Sequence, residues 1–119
     1  MIIRVVLILQ IVLLNILNAN EAVIQDVLVQ KTKPNTYNFS VTILHNDTGW
    51  KHYVNKWDIL DSDNKLLGTR VLYHPHVDEQ PFTRSKNNVF INNTHKNVFI
   101  RVHDTVHQYS SKKFLIKLP

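Results

Sequence analysis

The stretch Thr36–His45, TYNFSVTILH, predicts the fold class of this chain. Large apolar residues occupy every second position and polar residues stand between them; the apolar set is Tyr37, Phe39, Val41 and Ile43. Successive side chains of a β-strand point to opposite faces of its sheet, so this alternation indicates a strand that is buried on one face. We therefore expect a half-buried strand here.

Strand patterns continue on both sides of this stretch. Upstream lies VIQDVLVQ; downstream lie YVNKWDIL, LLGTRVLYH, PFTRS with NVFI as one interrupted strand, NVFIRVH and KFLIKL. Polar turns such as DSDNK separate these segments, and no segment carries the apolar stripe of a helix. About seven short strands in roughly 100 residues predict an all-β fold, a single antiparallel β-sandwich.

The first residues, MIIRVVLILQIVLLNILNAN, have a different composition. One positive charge, Arg4, precedes an apolar run from Val5 to Leu17, and small and polar residues follow. This order is typical of a secretory signal peptide. The run is shorter than the ~20 apolar residues of a membrane-spanning helix, which favours a cleaved signal over an anchor. We predict a signal peptide at 1–19 and a periplasmic or secreted β-sandwich domain at 20–119, with no membrane contact after cleavage.

The charge and the absence of cysteine exclude several classes of function. The formal net charge is +5, but the lysines are dispersed along the chain, so no basic arm for nucleic acid is present. The chain contains no cysteine, which excludes disulfides, thiolate catalysis and cysteine zinc sites. A small exported domain of this kind depends on its core alone, or on a bound metal.

Histidine is the chemically informative residue type, with seven copies. If the predicted strands run alternately up and down, six of the seven lie at one end of the sandwich, and His95 lies at the other. The six are His45, His52, His74, His76, His103 and His107.

Side-chain alternation places three of these histidines on one outer face. We expect the inward residues to be Trp57 and Ile59, then Val71 and Tyr73, then Val98, Ile100 and Val102. The outward residues would then include Val54 with His52, Leu72 with His74, and His103. Neighbouring strands lie ~4.8 Å apart, and three imidazoles at that spacing can converge on a metal with ~2.0–2.1 Å bonds.

A metal site is therefore one prediction. Its ligands are His52, His74 and His103, with His76, His45 and His107 as further candidates. Asp47, Asp78, Glu79 and Asp104 could ligate or could orient an imidazole, although charged loop residues are mostly solvated. Imidazole-rich sites suit copper(II), zinc or nickel, so we expect a protein that handles or delivers copper(II) or zinc.

A non-catalytic binding module for a glycan or a protein partner is the alternative, and it uses the same end of the sandwich. Trp50 stands in a polar loop after Gly49 and is the best candidate for such a surface, with Arg70, Arg84 and Arg101 as polar contacts. An enzyme is the less favoured class, because no serine lies in a nucleophile elbow. A zinc hydrolase based on three histidines stays open, but no residue marks its substrate.

Three phrases also resemble a family of short, exported, uncharacterised bacterial proteins: DTGWKHYVNKW, LGTRVLYHPHVDEQPFTRS and IRVHD. The resemblance covers most of residues 20–119, implies an exported all-β domain and supplies no activity. The strand order, with Trp57 on the third strand, resembles fibronectin-III-like and immunoglobulin-like domains, in which a buried tryptophan occupies that strand.

Overall fold

Residues 21–119 are the part of the chain that the structure, a computed structural model, describes. The predicted signal peptide, residues 1–19, lies outside the described residues. The described part forms eight strands: β1 (Val23–Lys33), β2 (Thr36–Leu44), β3 (Val54–Leu60), β4 (Leu66–Val71), β5 (Phe82–Phe90), β6 (Asn97–Asp104), β7 (Gln108–Tyr109) and β8 (Phe114–Lys117).

The strands form two antiparallel sheets. One has three strands in the order β1-β2-β5, and the other has the order β4-β3-β6-β7, with β8 also paired to β6. No helix occurs among residues 21–119. Accordingly, that part of the chain contains no helix long and apolar enough to cross a membrane. The prediction of an all-β fold is confirmed.

The core lies between the two sheets. The alternating residues of β2, Tyr37, Phe39, Val41 and Ile43, are all buried, as the opening stretch predicts. They belong to one apolar cluster with the inward residues of the other sheet: Trp57, Ile59, Val98, Ile100 and Val102. The parity predicted for β6 and for the centre of β3 is therefore confirmed.

Two asparagines shape the turns at one end of the molecule. Asn35 closes the β1–β2 turn after Pro34 with φ 61°, a left-handed conformation that asparagine adopts more readily than most residues. In the β3–β4 turn, Asn64 has φ 63°. The Asp61 carboxylate accepts hydrogen bonds there from the backbone N–H of Asp63 at 2.8 Å and of Lys65 at 2.9 Å. This confirms that DSDNK forms a hairpin turn.

A β-bulge in β3 reverses the predicted parity at its beginning. Lys56 pairs with His103 and Val54 pairs with Asp104, so Asn55 is the extra residue. A bulge places two consecutive residues of one strand opposite one residue of its partner, which shifts the alternation by one. Val54 consequently points into the core and is fully buried, and its predicted outward orientation is wrong.

The parity predicted for β4 is also wrong. Tyr73 is 78% exposed and Val71 is exposed, whereas Leu72 is 4% exposed. The ladder pairs the inward Trp57 with Arg70 and the inward Ile59 with Gly68, so those two β4 residues take the inner side. Gly68 lies against Ile59 and Val89, and Arg70 donates to the Ser85 carbonyl of β5 at 2.7 Å.

A buried carboxylate ties four strands of the larger sheet together. Asp58 accepts hydrogen bonds from Thr69 Oγ1 at 2.7 Å, Arg101 Nε at 2.9 Å and the Tyr109 hydroxyl at 2.9 Å. The Arg101 guanidinium also lies 3.8 Å from the Tyr109 ring centroid. Burial raises the pKa of Asp58, but the hydrogen bonds from Thr69, Arg101 and Tyr109 outweigh it and hold the pKa below its usual value.

Replacement of the central tryptophan tests the core. Trp57→Ala removes a fully buried side chain and should lower the free energy of unfolding by ~3–5 kcal/mol. The matched control is Trp50→Ala, which removes a tryptophan that is 68% exposed and should change stability by no more than about 0.5 kcal/mol. Urea unfolding measures both. Equal losses for the two variants would contradict the placement of Trp57 in the core.

Replacement of the buried carboxylate tests the Asp58 network. Asp58→Asn should lower the free energy of unfolding by ~1–3 kcal/mol at pH 7, because it weakens three hydrogen bonds to a buried acceptor. The folded pKa of Asp58 lies below its usual value, so this stabilisation is present above the unfolded-state pKa of about 3.9. It is lost as the pH falls through the folded pKa.

Urea unfolding between pH 3 and pH 7 checks this linkage. The difference between the original chain and Asp58→Asn should shrink towards low pH. Asp63→Asn, at an exposed residue, is the control and should follow the original chain at each pH. A difference for Asp58→Asn that stays constant over the whole range would show that its charge does not contribute.

Candidate metal centre

The first part of the site follows directly after β2. His45 and Asp47 are both buried, and His45 Nδ1 lies 2.5 Å from Asp47 Oδ1. The same carboxylate accepts from the backbone N–H of Val54 at 3.1 Å and from that of His76 at 2.8 Å. Asp47 therefore connects the end of β2 to the beginning of β3 and to the His-Pro-His loop.

A tight turn brings His52 back to this point. The N–H of His52 donates to the Gly49 carbonyl at 3.1 Å, and the N–H of Thr48 donates to the His52 carbonyl at 3.0 Å. Gly49 has φ 149°, a conformation that residues with a Cβ rarely adopt. The turn leaves Trp50 at its exposed tip and directs the His52 ring inwards. His52 Nε2 is buried, has no hydrogen-bond partner and lies 3.4 Å from Asp104 Oδ1.

Asp104 ends β6 and is fully buried. Its Oδ1 atom accepts hydrogen bonds from the backbone N–H of Val106 at 2.8 Å and of His107 at 2.7 Å. Burial raises the pKa of Asp104, but these two backbone donors outweigh it, with help from the His107 and His45 rings, and hold the pKa below its usual value. These contacts favour the ionised form of the buried Asp104 carboxylate.

His45, His52 and Asp104 each offer one ligand atom, and these atoms lie within 4.8 Å of one another. Within residues 21–119 this is the only such group of three or more potential ligands. The His45 and His52 ring centroids are 4.7 Å apart at an interplanar angle of 73°. Ligand atoms bound to one zinc ion at ~2.0–2.1 Å lie closer to one another than the 4.8 Å limit of this group, so metal binding would draw the side chains inward.

His107 lies beside these three residues, in the turn between β6 and β7. Its ring centroid is 5.1 Å from that of His52, and its Nδ1 atom is 3.3 Å from the Asp104 carboxylate. Its side chain is 33% exposed, which places it on the solvent side of the site.

The predicted His74 and His76 form an adjacent cluster. Their ring centroids are 4.7 Å apart; His74 is exposed and His76 is buried. Arg84 Nη2 lies 3.0 Å from His76 Nε2, and Arg84 also pairs with Glu79 at 3.0 Å. The predicted residue Asp78 is exposed. None of these side chains belongs to the group of three ligands.

His103 is placed apart from that group. Its Nδ1 atom lies 2.6 Å from Asn55 Oδ1, and its ring contacts that of Tyr109 at 4.8 Å between centroids. Burial, followed by the nearby Lys56 ammonium, lowers the pKa of His103. His103 and Asp104 are neighbours on β6 and face opposite ways. The structure therefore brings His52 together with Asp104, and not with His103.

Gln80 supports the site by connecting two of its loops, and the sequence patterns did not identify it. Its Oε1 atom accepts from the backbone N–H of His45 at 2.9 Å, and its Nε2 atom donates to the His76 carbonyl at 2.8 Å. A carboxamide offers both a donor and an acceptor, which is the property that bridges two loops. The presence of such a carboxamide in the polar segment HPHVDEQP is the one sequence signal that could have indicated this role of Gln80.

Among the residues predicted for the alternative binding surface, the tryptophan is exposed, whereas two of the arginines are engaged by other residues of the protein. Trp50 is 68% exposed and packs edge-on against Tyr53, with 5.7 Å between ring centroids. Arg70 and Arg101 are held by Ser85 and Asp58 as described above.

Comparison with known proteins finds a partial similarity. A protein of Halomicrobium mukohataei named "Putative lipoprotein" is 32% identical over 100 residues, which cover 84% of this chain and 49% of that protein. The chain thus spans about half the length of the relative that it matches. No family model matches the chain, and no solved structure matches it.

Proposed function

We propose that this protein is an exported metal-binding protein that holds zinc or copper(II) through His45, His52 and Asp104. The observation that carries the proposal is the buried Nε2 atom of His52. It has no hydrogen-bond partner and lies beside the Asp104 carboxylate, in a group with His45.

The energetics of burial support a cation at this point. A buried polar atom without a partner costs ~1–3 kcal/mol, and a buried carboxylate costs more unless it is paired. Asp104 and Asp47 place two buried carboxylates next to the imidazoles. A divalent cation would satisfy His52 Nε2 and balance the Asp104 charge together. Asp47 would then orient His45 from behind, an arrangement common at zinc sites.

The donor set supports the choice of metal. Two imidazoles and one carboxylate suit zinc and copper(II). The chain has no cysteine and its single methionine is Met1, so the described residues offer no soft sulfur ligand for copper(I). His107, on the exposed side, is the candidate for a fourth ligand that exchanges during loading or delivery.

Two observations support export, and the strand order supports a β-sandwich. The beginning of the chain has the composition of a signal peptide, and the relative in Halomicrobium mukohataei is named a lipoprotein. The 119 residues contain no cysteine, so a cysteine-linked lipid has no attachment point within them. The strand order β1-β2-β5 and β4-β3-β6-β8 supports an immunoglobulin-like or fibronectin-III-like classification. The periplasm or the extracellular space is the proposed location.

A glycan-binding module is the second candidate. The exposed Trp50, packed on Tyr53 beside the site, favours it, since an exposed indole offers a flat apolar platform with a polar edge. This surface adjoins the metal centre through the turn that carries His52.

Calorimetric titration with zinc and with copper(II) at pH 7 tests the metal proposal. His45→Ala and His52→Ala should each abolish tight binding, and the double variant should lose no more, because either change already destroys one shared site. His95→Ala is the control, since His95 lies in the β5–β6 turn at the opposite end of β6. His103→Ala is a second control that separates the two faces of β6.

The outcomes divide the hypotheses. Unchanged affinity in His52→Ala would exclude the proposed centre, and a large loss in His103→Ala would move it to the outer face. If the original chain binds neither metal but Trp50→Ala abolishes retention on immobilised oligosaccharides, the glycan-binding alternative replaces the metal proposal.

A further inference from the structure

The His-Pro-His loop carries a histidine whose protonation pattern the structure determines. Arg84 Nη2 lies 3.0 Å from His76 Nε2. A guanidinium group has donors only, so His76 Nε2 must be the acceptor and the ring proton must be on Nδ1. Burial, followed by the charge of Arg84, lowers the pKa of His76, in agreement with a neutral ring.

The Nδ1–H group of His76 faces Asp47. His76 Nδ1 is buried without a hydrogen-bond partner and lies 4.0 Å from Asp47 Oδ2. The same oxygen accepts from the backbone N–H of His76 at 2.8 Å. The His76 ring is stacked on Phe82, with 4.1 Å between centroids and an interplanar angle of 7°, so it cannot easily turn away.

Asp47 passes this constraint on to His45. Its Oδ1 atom accepts from His45 Nδ1. With the proton on Nδ1, the ring presents Nε2 as its ligand atom, and a carboxylate behind the ring also increases its basicity as a ligand.

We propose that His76 and Arg84 are positioning residues of the metal centre. Arg84 fixes the Nδ1–H tautomer of His76. His76 faces Asp47 with that Nδ1–H group and donates its backbone N–H to the same carboxylate, and Asp47 fixes the tautomer and orientation of His45. This inference rests on the proposed metal-binding function for its consequence. Its contacts do not need a metal: Arg84 meets His76 Nε2 at 3.0 Å, His76 Nδ1 faces Asp47 at 4.0 Å, and Asp47 bonds to His45.

Direct coordination by His76 does not fit the same geometry. Its Nε2 atom is occupied by Arg84, whose positive charge would repel a metal ion at that side. Its Nδ1 atom faces the carboxylate that already holds His45. His76 therefore acts on the centre from behind.

The first experiment reads the tautomers in metal-free protein. Long-range proton–nitrogen correlation spectra of nitrogen-15-labelled protein at pH 7.5 with a chelator should show Nδ1–H at both His76 and His45. In Arg84→Met, His76 should become a mixture of tautomers. A proton on Nε2 of His76 in the original chain would overturn the inference, whatever the metal affinity.

The second experiment compares two replacements of His76. Asparagine keeps an N–H donor near the position of Nδ1, and leucine does not; both lose the ring stacked on Phe82. His76→Leu should weaken zinc binding by about 10-fold, whereas His76→Asn should restore most of the affinity. The melting temperature of the metal-free protein should fall in both variants. Visible absorption of the cobalt(II) form should change in His76→Leu and resemble the original in His76→Asn.

Failure of the inference and failure of the proposed function are distinguishable. Equal loss of zinc affinity in the two His76 variants would reduce His76 to a packing role and overturn the inference. If the original chain binds neither zinc nor cobalt(II), metal binding is wrong. The tautomers of His76 and His45 then still decide whether His76 positions Asp47.

Discussion

The extra residue Asn55 in β3 is the constraint on which the arrangement around His52 and Asp104 depends. Because Asn55 has no partner in β6, Val54 turns into the core and pairs with the buried Asp104. The His52 ring then approaches Asp104 on the inner side, and Asn55 meets His103 on the outer side. A single inserted residue therefore determines which polar side chains meet.

The fold could be predicted from its strongly alternating segments. Wherever large apolar residues recur at every second position, as in β2 and β6, the predicted buried face is correct, because burial of those residues dominates the energy of the strand. The parity of β4 could not be predicted in this way. Its inner positions hold Gly68 and Arg70, and its apolar Val71 is exposed at the edge of a sheet.

The sequence indicated the end of the molecule at which most of the histidines gather, but not which of their side chains the structure brings together. Strand direction alone brings His45, His52 and His107 to one end, with Asp47 and Asp104 among them. The choice of His103 as a ligand depended on uninterrupted alternation between His52 and Trp57, and a bulge leaves no compositional mark there. Gln80 could not be found because its role comes from two loops that meet only in the folded chain.

The three proposed ligands come from different sheets. His45 follows β2 of the smaller sheet, while His52 lies two residues before β3 of the larger sheet and Asp104 ends its strand β6. A cation held by all three would act as a cross-link between the two layers, in a chain that has no cysteine to form one. The free energy of unfolding would then rise with the concentration of free metal, so the folded protein would be most stable where that metal is abundant.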